Sequence, residues 1–251
     1  MIPELRIEAP WLGAPGPRAV CALLERAGRQ AFFVGGCVRN ALLGREATDV
    51  DVATDAHPEE VMRLAGAAGM KAVPTGIAHG TVTLAVEGGP VQVTTFRRDV
   101  ATDGRRAVVA FADDIAEDAA RRDLTMNALY ARPDGTVVDP LGGLGDLRAG
   151  RVRFVGDAAA RIAEDYLRIL RFFRFHAWYG DPEAGIDAEG LAACAAARDG
   201  LTLLSRERIG AELAKLLAAP DPAPAAAAMA ASGVLACVLP GADPRALPAL
   251  V

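Results

Sequence analysis

Cysteine and histidine are scarce in this 251-residue chain, and they do not cluster. The four cysteines, Cys21, Cys37, Cys194 and Cys237, form no C-x-x-C pair and have no paired histidines nearby. That spacing argues against a metal finger or a disulfide framework, and the cysteines read as reduced core residues of a cytoplasmic protein. Positive charge is also short: 27 Lys and Arg against 32 Asp and Glu give a net charge of −5. Any nucleic acid must then be held by local patches rather than by the net field. An early apolar run is missing, since Glu4, Arg6 and Glu8 stand near the start, so an ordinary secretory signal is not expected. The uncharged residues 222 to 242 are alanine-rich and broken by Pro222, Pro224, Gly233 and Pro240. They make a poor membrane span and read as a buried helix behind a linker.

What is present is ample core material, 52% hydrophobic, enough for two cores. Residues 17 to 30 read as a helix leading into the strand "AFFV", and "CVRNALLG" as a helix closing at Gly44. The strand "TDVDVAT", the helix "HPEEVMRLAGAAG" and three short β-rich runs follow. Between Arg97 and Asp114 a charged segment containing Asp103-Gly104 predicts a mobile loop or hairpin at the sheet edge. From about Ala158 onward glycine thins out, and 3.6-residue periods run through "RIAEDYLRILRFFRFHAW" and "RERIGAELAKLL". The expected fold is an α+β head, a small mixed sheet with helices over residues 1–150, followed by an all-α part. The helical part divides into a neck at 151–219 and the start of a body at 220–251, with a hinge at 218–225.

In a strand, residues i and i+2 share a side, so Asp49 and Asp51 are expected on one face with Val50 buried opposite. Two carboxylates so close repel unless a cation lies between them, and hard ions such as Mg²⁺ prefer carboxylate oxygens. Alone, D-x-D is equally a solvated strand end. Gly35-Gly36, 13 residues before Asp49 and opening a helix, adds backbone N–H groups able to approach a phosphate. In "RRDLTMNALY", Arg121 and Arg122 suit a triphosphate or an RNA backbone, and Asp123 is also a plausible helix N-cap with Asn127 beyond it. In "RIAEDYLRILR", read as one helix, Arg161, Asp165 and Arg168 share a face with Glu164, which alone is an ordinary salt-bridge ladder. An Asp–Arg pair also has a base-reading use. Cytosine and adenine both present an amino donor beside a ring-nitrogen acceptor, so Asp165 with Arg168 accepts C and A while refusing U and G.

The motifs "GGCVRNALLG…TDVD", "VTTFRRD…DGR", "RRDLTMNALY", "DPLGGLGDL", "RIAEDYLRILRF" and "SRERIGAELAKLL", in this order over residues 20 to 219, resemble those of bacterial tRNA nucleotidyltransferases. This is the CCA-adding and poly(A) polymerase family within the polymerase-β-like nucleotidyltransferases. The resemblance implies a palm-like catalytic head, a helical neck that holds the base, and further helical regions that grip tRNA. It implies that Asp49 and Asp51 are catalytic metal ligands for two Mg²⁺ ions, and that Gly35, Gly36 and Arg39 lie by the triphosphate. Arg122, Asp123 and Asn127 would bind nucleotide and ribose, and Glu164, Asp165, Arg168 and Arg171 would form the base-reading helix. Asp103, Gly104 and Arg105 would form the flexible loop that CCA-adding members need for the A step.

Three departures stand out. Asn40 occupies a position where many members have aspartate, and Gln92 one where many have glutamate, a candidate third acid. Members also continue well past residue 251, so much of the tRNA-gripping body is expected to be absent. The reading is a cytoplasmic enzyme that adds C and A to the 3′ end of tRNA from CTP and ATP without a nucleic-acid template, releasing pyrophosphate. No membrane association and no obligate protein partner are expected. The alternatives are a poly(A) polymerase and a non-catalytic RNA-binding relative.

Overall fold

The computed structural model describes residues 4–47, 49–102 and 107–249. By backbone proximity the chain forms two compact units. The first comprises residues 1–101, 108–122 and 126–143, and the second residues 102–107, 123–125 and 144–251.

The first unit opens with α1 (Pro10–Gly13) and α2 (Pro15–Arg26), then β1 (Phe32–Val34), α3 (Gly36–Leu42), β2 (Asp51–Thr54) and α4 (Pro58–Ala67). The strands β3 (Lys71–Gly76), β4 (Thr81–Val86) and β5 (Gly89–Thr95) follow. The seven-stranded sheet has the order β3-β4-β5-β2-β1-β8-β9, its last strands being β8 (Tyr130–Ala131) and β9 (Val137–Val138). Only β2 and β5 pair in parallel; each other ladder is antiparallel. A separate two-stranded sheet joins β6 (Arg97–Thr102) to β7 (Ala107–Phe111), where a mobile loop or hairpin at the edge of the larger sheet was expected. The expected loop residues Asp103, Gly104 and Arg105 lie outside the described residues.

Period-2 alternation explains β4 and β5. Val82, Leu84, Val91 and Val93 are buried while Gln92 between them is exposed. β1 is buried along its whole length, with Phe33 in edge-to-face contact with Trp11 at 4.7 Å. α2 and α4 pack on each other and on the sheet.

"RRDLTMNALY" departs from expectation. After α5 (Ile115–Ala120) the chain makes a single 3₁₀ turn, Thr125–Asn127, and enters β8, so no helix starts there. The reason is burial: Leu124, Met126, Ala128, Leu129 and Tyr130 are all fully buried, and such a run carries no periodicity to separate strand from helix. Nor is Asp123 an N-cap.

The second unit contains α6 (Gly143–Arg148, starting at its border), α7 (Ala158–Glu164), α8 (Leu167–Tyr179), α9 (Ala188–Ala197), α10 (Arg206–Leu217), α11 (Ala223–Ala231) and α12 (Val234–Val238). Asp157, Asp187 and Ser205 cap α7, α9 and α10 with side-chain oxygens. The core helix is α8, which buries Ile169, Leu170, Phe172, Phe173 and Phe175 and packs against α10 and α11. The uncharged stretch is two short helices, α11 and α12, rather than one. Among the described residues no helix is long and apolar enough to cross a membrane.

"RIAEDYLRILR" is broken, not continuous. α7 ends at Glu164, and Asp165 is extended at φ −156° and ψ 107°. Asp165 Oδ1 accepts the Leu167 N–H at 3.1 Å, the short-range bond that draws aspartate out of helix interiors. The Tyr166 ring lies over Gly200, where any Cβ would fall 2.2 Å from it, so tertiary packing overrides the helical period.

Phe172 is stacked on Phe154 at 5.3 Å and set edge-on to Phe173 at 5.4 Å, with no exposure. Phe172→Ala is expected to destabilise the helical unit by about 3–5 kcal/mol. Urea unfolding followed by circular dichroism checks this, through an earlier loss of helical signal.

Candidate active site

In the first unit, β1 runs into Gly35, whose φ of +70° only glycine adopts without strain, and α3 begins at Gly36. With seven residues, α3 offers little dipole, so side-chain cations must supply the charge near this turn. Two arginines are there. Arg39, only 7% exposed, donates from Nη1 to Asn127 Oδ1 at 2.6 Å and from Nε and Nη2 to Asn40 Oδ1 at 3.2 and 3.0 Å. Arg122 donates from Nε to Tyr130 Oη and from Nη2 to Asp118 Oδ2, both at 2.9 Å, and the Tyr130 hydroxyl donates to the same Oδ2 at 2.7 Å. A Cβ at Gly35 would lie 3.6 Å from Arg122 Nη1 and 3.8 Å from the Asn127 carbonyl oxygen.

The structure therefore gathers Gly35, Gly36, Arg39, Arg122 and Asn127, drawn from positions up to 92 apart in sequence, around one turn. Asn40 also has a local explanation. Its Nδ2 donates to the Glu46 carbonyl at 2.8 Å, a bond that an ionised aspartate has no hydrogen to make.

Asp51 opens β2, whereas Asp49 precedes the strand and is exposed. Val50 between them is half-buried, not the fully buried residue a strand through Asp49 requires. Burial pushes the Asp51 carboxyl above its ordinary range; the Arg122 guanidinium pulls against this and the Asp49 charge adds to it. On the parallel neighbour β5, Gln92 is the register partner of Asp51. The donor set is thus two carboxylates with an amide oxygen alongside, hard oxygen chemistry that fits Mg²⁺, and a cation would relieve the disfavoured charge on Asp51. Among the described residues no group of three or more His, Cys, Asp and Glu gathers as a metal cluster.

Burial raises the Asp118 carboxyl, but Arg122 and Tyr130 outweigh it and hold the group below the ordinary range. Burial opposes the Arg122 charge too, and Tyr130 and Asp118 overcome it. Neither Asp118 nor Tyr130 is a site residue expected from sequence. The Asp118 to Arg122 spacing of i, i+4 was the available sign, and Tyr130 was hidden as the polar-tipped end of an apolar run.

The remaining expected residues are in the second unit. Glu164, 8% exposed, accepts from Arg161 Nη2 and Arg168 Nη1, each at 2.5 Å. Arg168 Nη1 also reaches the Arg161 carbonyl at 2.9 Å, satisfying a group left open where α7 stops. Asp165 Oδ2 accepts from Arg208 Nη2 of α10 at 2.6 Å, so its charge partner is Arg208, where the sequence pointed to Arg168. Arg171 sends both Nε and Nη2 to Asp123 Oδ2 at 2.6 Å. Arg208 was not foreseen, since nothing local in the sequence links it to a residue 43 positions earlier. Burial raises the thiols of Cys21 to about 12 and Cys37 to about 11, which leaves both protonated and inert at neutral pH.

Residues 31–153 match the family model described as "Poly A polymerase head domain", and residues 185–245 the one described as "Probable RNA and SrmB- binding site of polymerase A". The chain is 42% identical over 203 residues to the mitochondrial CCA tRNA nucleotidyltransferase 1 of Mus musculus, covering 80% of this chain and 47% of that one. It is 43% identical over 220 residues to the CCA-adding enzyme of Geobacillus thermodenitrificans, covering 87% and 52%. It superposes on the crystal structure of the Bacillus stearothermophilus CCA-adding enzyme in complex with CTP with a TM-score of 0.83 and 34% identity, covering 96% of this chain and 57% of that one. The chain spans about half the length of the curated relatives it matches.

The raised Asp51 carboxyl sets a sign for stability. Folding disfavours its charge, so stability is complete below the ordinary value of 3.8 and is lost as pH rises through the folded value. Asp51→Asn is therefore expected to raise the melting temperature at neutral pH in EDTA by on the order of 1–3 °C, with the gap closing below about pH 4. Differential scanning fluorimetry across pH measures it.

Proposed function

The chain belongs to the tRNA nucleotidyltransferase and poly(A) polymerase family, and from that membership we propose that it carries a CCA-adding nucleotidyltransferase activity. The substrates would be CTP, ATP and the 3′ end of tRNA, and the products an extended tRNA and pyrophosphate. The observation that supports this reading is the gathering of Arg39, Arg122 and Asn127 at the Gly35–Gly36 turn, with Asp51 near enough for the Arg122 guanidinium and the Asp49 charge to act on its carboxyl.

Each residue has a task in that reaction. Asp49 and Asp51 would hold Mg²⁺, which when bound supplies Lewis-acid activation of the 3′-hydroxyl and neutralises charge building on the α-phosphate. Gly35, lacking a side chain, leaves room for phosphate oxygens beside the Arg122 guanidinium. Arg122 meets the negative charge of the triphosphate, and Arg39 fixes Asn127 so that its amide is placed for the nucleotide. The departing pyrophosphate carries the charge that Arg122 faces. In the helical unit, Asp165 would accept from the exocyclic amino group shared by cytosine and adenine, with Arg168 as the donor to the ring nitrogen. Glu164 and Arg171 would hold that helix end in place, and Asp103, Gly104 and Arg105 would serve the A step. The cysteines, which form no disulfide, accord with a cytoplasmic setting.

A second reading, a non-catalytic RNA-binding relative, is favoured by Gln92, which puts a neutral amide beside Asp51. Incubation with Mg²⁺, CTP or ATP, and tRNAs ending before CCA, after C or after CC separates the readings. C addition followed by A addition is expected, and Asp49→Ala should lower it at least about 100-fold, the upper end of what losing even an outer partner costs a metal site. A long A tail would point to a poly(A) polymerase, and no incorporation to the binding relative. Gln92→Glu adds a charged ligand next to Asp51, so it is expected to lower the Mg²⁺ concentration for half-maximal transfer by roughly tenfold. Titration of Mg²⁺ against initial rate reads this out.

A further inference from the structure

The three guanidinium nitrogens of Arg122 have unlike surroundings. Nε and Nη2 are occupied by Tyr130 and Asp118, while Nη1 has no hydrogen-bond acceptor among the described residues and lies under the Gly35 turn. A guanidinium is planar with its donors in a fixed fork, so anchoring two nitrogens sets the direction of the third. Asp118 is 1% exposed and Tyr130 not at all, and neither reaches the turn's surface. Asp118 also takes the Arg97 backbone N–H on Oδ1 at 3.3 Å and the Tyr130 hydroxyl on Oδ2 at 2.7 Å. Its negative charge is thus shared among three donors, so it orients Arg122 without consuming the cation's whole attraction for an anion. The burial that raises the Tyr130 phenol keeps its hydroxyl a neutral donor throughout the working pH range.

We infer that Asp118 and Tyr130 are positioning residues for nucleotide binding: they hold Arg122 so that its free Nη1 meets a phosphate of the incoming triphosphate at the Gly35 turn. This rests on the nucleotidyltransferase reading. Because the contact is to phosphate, it is blind to the base, and CTP and ATP must depend on it equally. Long arginine side chains lose substantial rotamer entropy on binding a ligand; here the buried pair has already imposed that order during folding. The expected signature is therefore in affinity and KM rather than in kcat.

The test uses the full chain and binding rather than transfer. Isothermal titration with CTP, ATP and inorganic tripolyphosphate is run on wild type, Tyr130→Phe, Arg122→Ala and the double variant. Tyr130→Phe keeps the buried ring and removes only the hydroxyl, so its melting temperature serves as the control for folding. Expected is a roughly tenfold weakening for all three ligands in Tyr130→Phe, with kcat within about twofold in the transfer assay. In the Arg122→Ala background, Tyr130→Phe should change nothing further, because the hydroxyl acts only through that guanidinium. Asp118→Asn should repeat the pattern wherever it folds. Unchanged tripolyphosphate affinity in Tyr130→Phe, a loss confined to one nucleotide, or an equal loss in the Arg122→Ala background would each overturn the inference. Wild-type protein that binds tripolyphosphate but transfers nothing to tRNA would count against the enzymatic reading alone, whereas failure of wild type to bind tripolyphosphate would sink this inference whatever the transfer assay shows.

Discussion

Arginine held by a buried oxygen partner is the constraint on which both units depend. In the head, Arg39 is fixed by Asn127 and Asn40, and Arg122 by Asp118 and Tyr130. In the helical unit, Arg168 meets Glu164, Arg171 meets Asp123 and Arg174 meets Glu212, the last pair at 2.6 Å with the carboxylate 5% exposed. None of these is a surface ornament worth a few tenths of a kcal/mol. Removing one partner of such a pair strands a charge in low dielectric, a loss of about 3–5 kcal/mol. Three of the pairs tie distant segments, Arg39 to Asn127 across 88 residues, Arg171 to Asp123 across 48 and Arg174 to Glu212 across 38, so folding assembles these contacts.

The same logic explains why the acid pair sits where it does. Asp51 begins the central strand β2, flanked by β1 and β5, and its carboxylate is costly there without a cation. A fold built only for stability would place asparagine at that position. The raised carboxyl is strain of an electrostatic kind, relieved partly by Arg122, and the proposed cation would relieve the rest, the pattern expected where charge is kept for chemistry. Gln92 moderates it: a third carboxylate in register with Asp51 would deepen the repulsion in the ion-free protein, and the amide supplies an oxygen without the charge.

Much of this was legible in the sequence, and what was not has definite causes. Alternation gave β4 and β5, the glycine pair marked the turn, and Gly44 closes α3 with φ +66° as its position predicted. The head-then-helices order followed from where glycine thins out. Three features escaped. The 123–130 segment is buried on nearly every side, polar Asp123 and Asn127 included, so periodicity had nothing to report. The break at Asp165 was masked because its neighbours keep a 3.6-residue period across it, while the cause lies at Gly200 and Arg208, far away in sequence. Nothing in "IAEDAA" sets Asp118 apart from its neighbours, and only its burial against Tyr130 distinguishes it.

The break at Asp165 sets the surroundings of the residue proposed to read the base. A continuous helix would leave both Asp165 oxygens facing outward beside Arg168. Here one oxygen closes the start of α8 and the other meets Arg208, while Arg168 is turned to Glu164 and the Arg161 carbonyl. A carboxylate has about four acceptor directions, and these two bonds leave room for a base amino group. Each Asp165 oxygen has a partner, Leu167 N–H on one and Arg208 on the other, which favours one orientation of the carboxylate. Rigidity is what a discriminator needs: a mobile carboxylate would turn to suit a mismatched edge, whereas a fixed one leaves the carbonyl of uracil or guanine facing another acceptor. In the proposed base-reading role, the extended residue that interrupts the helix and the salt link to α10 would serve one requirement, an aspartate whose orientation is set before the base binds.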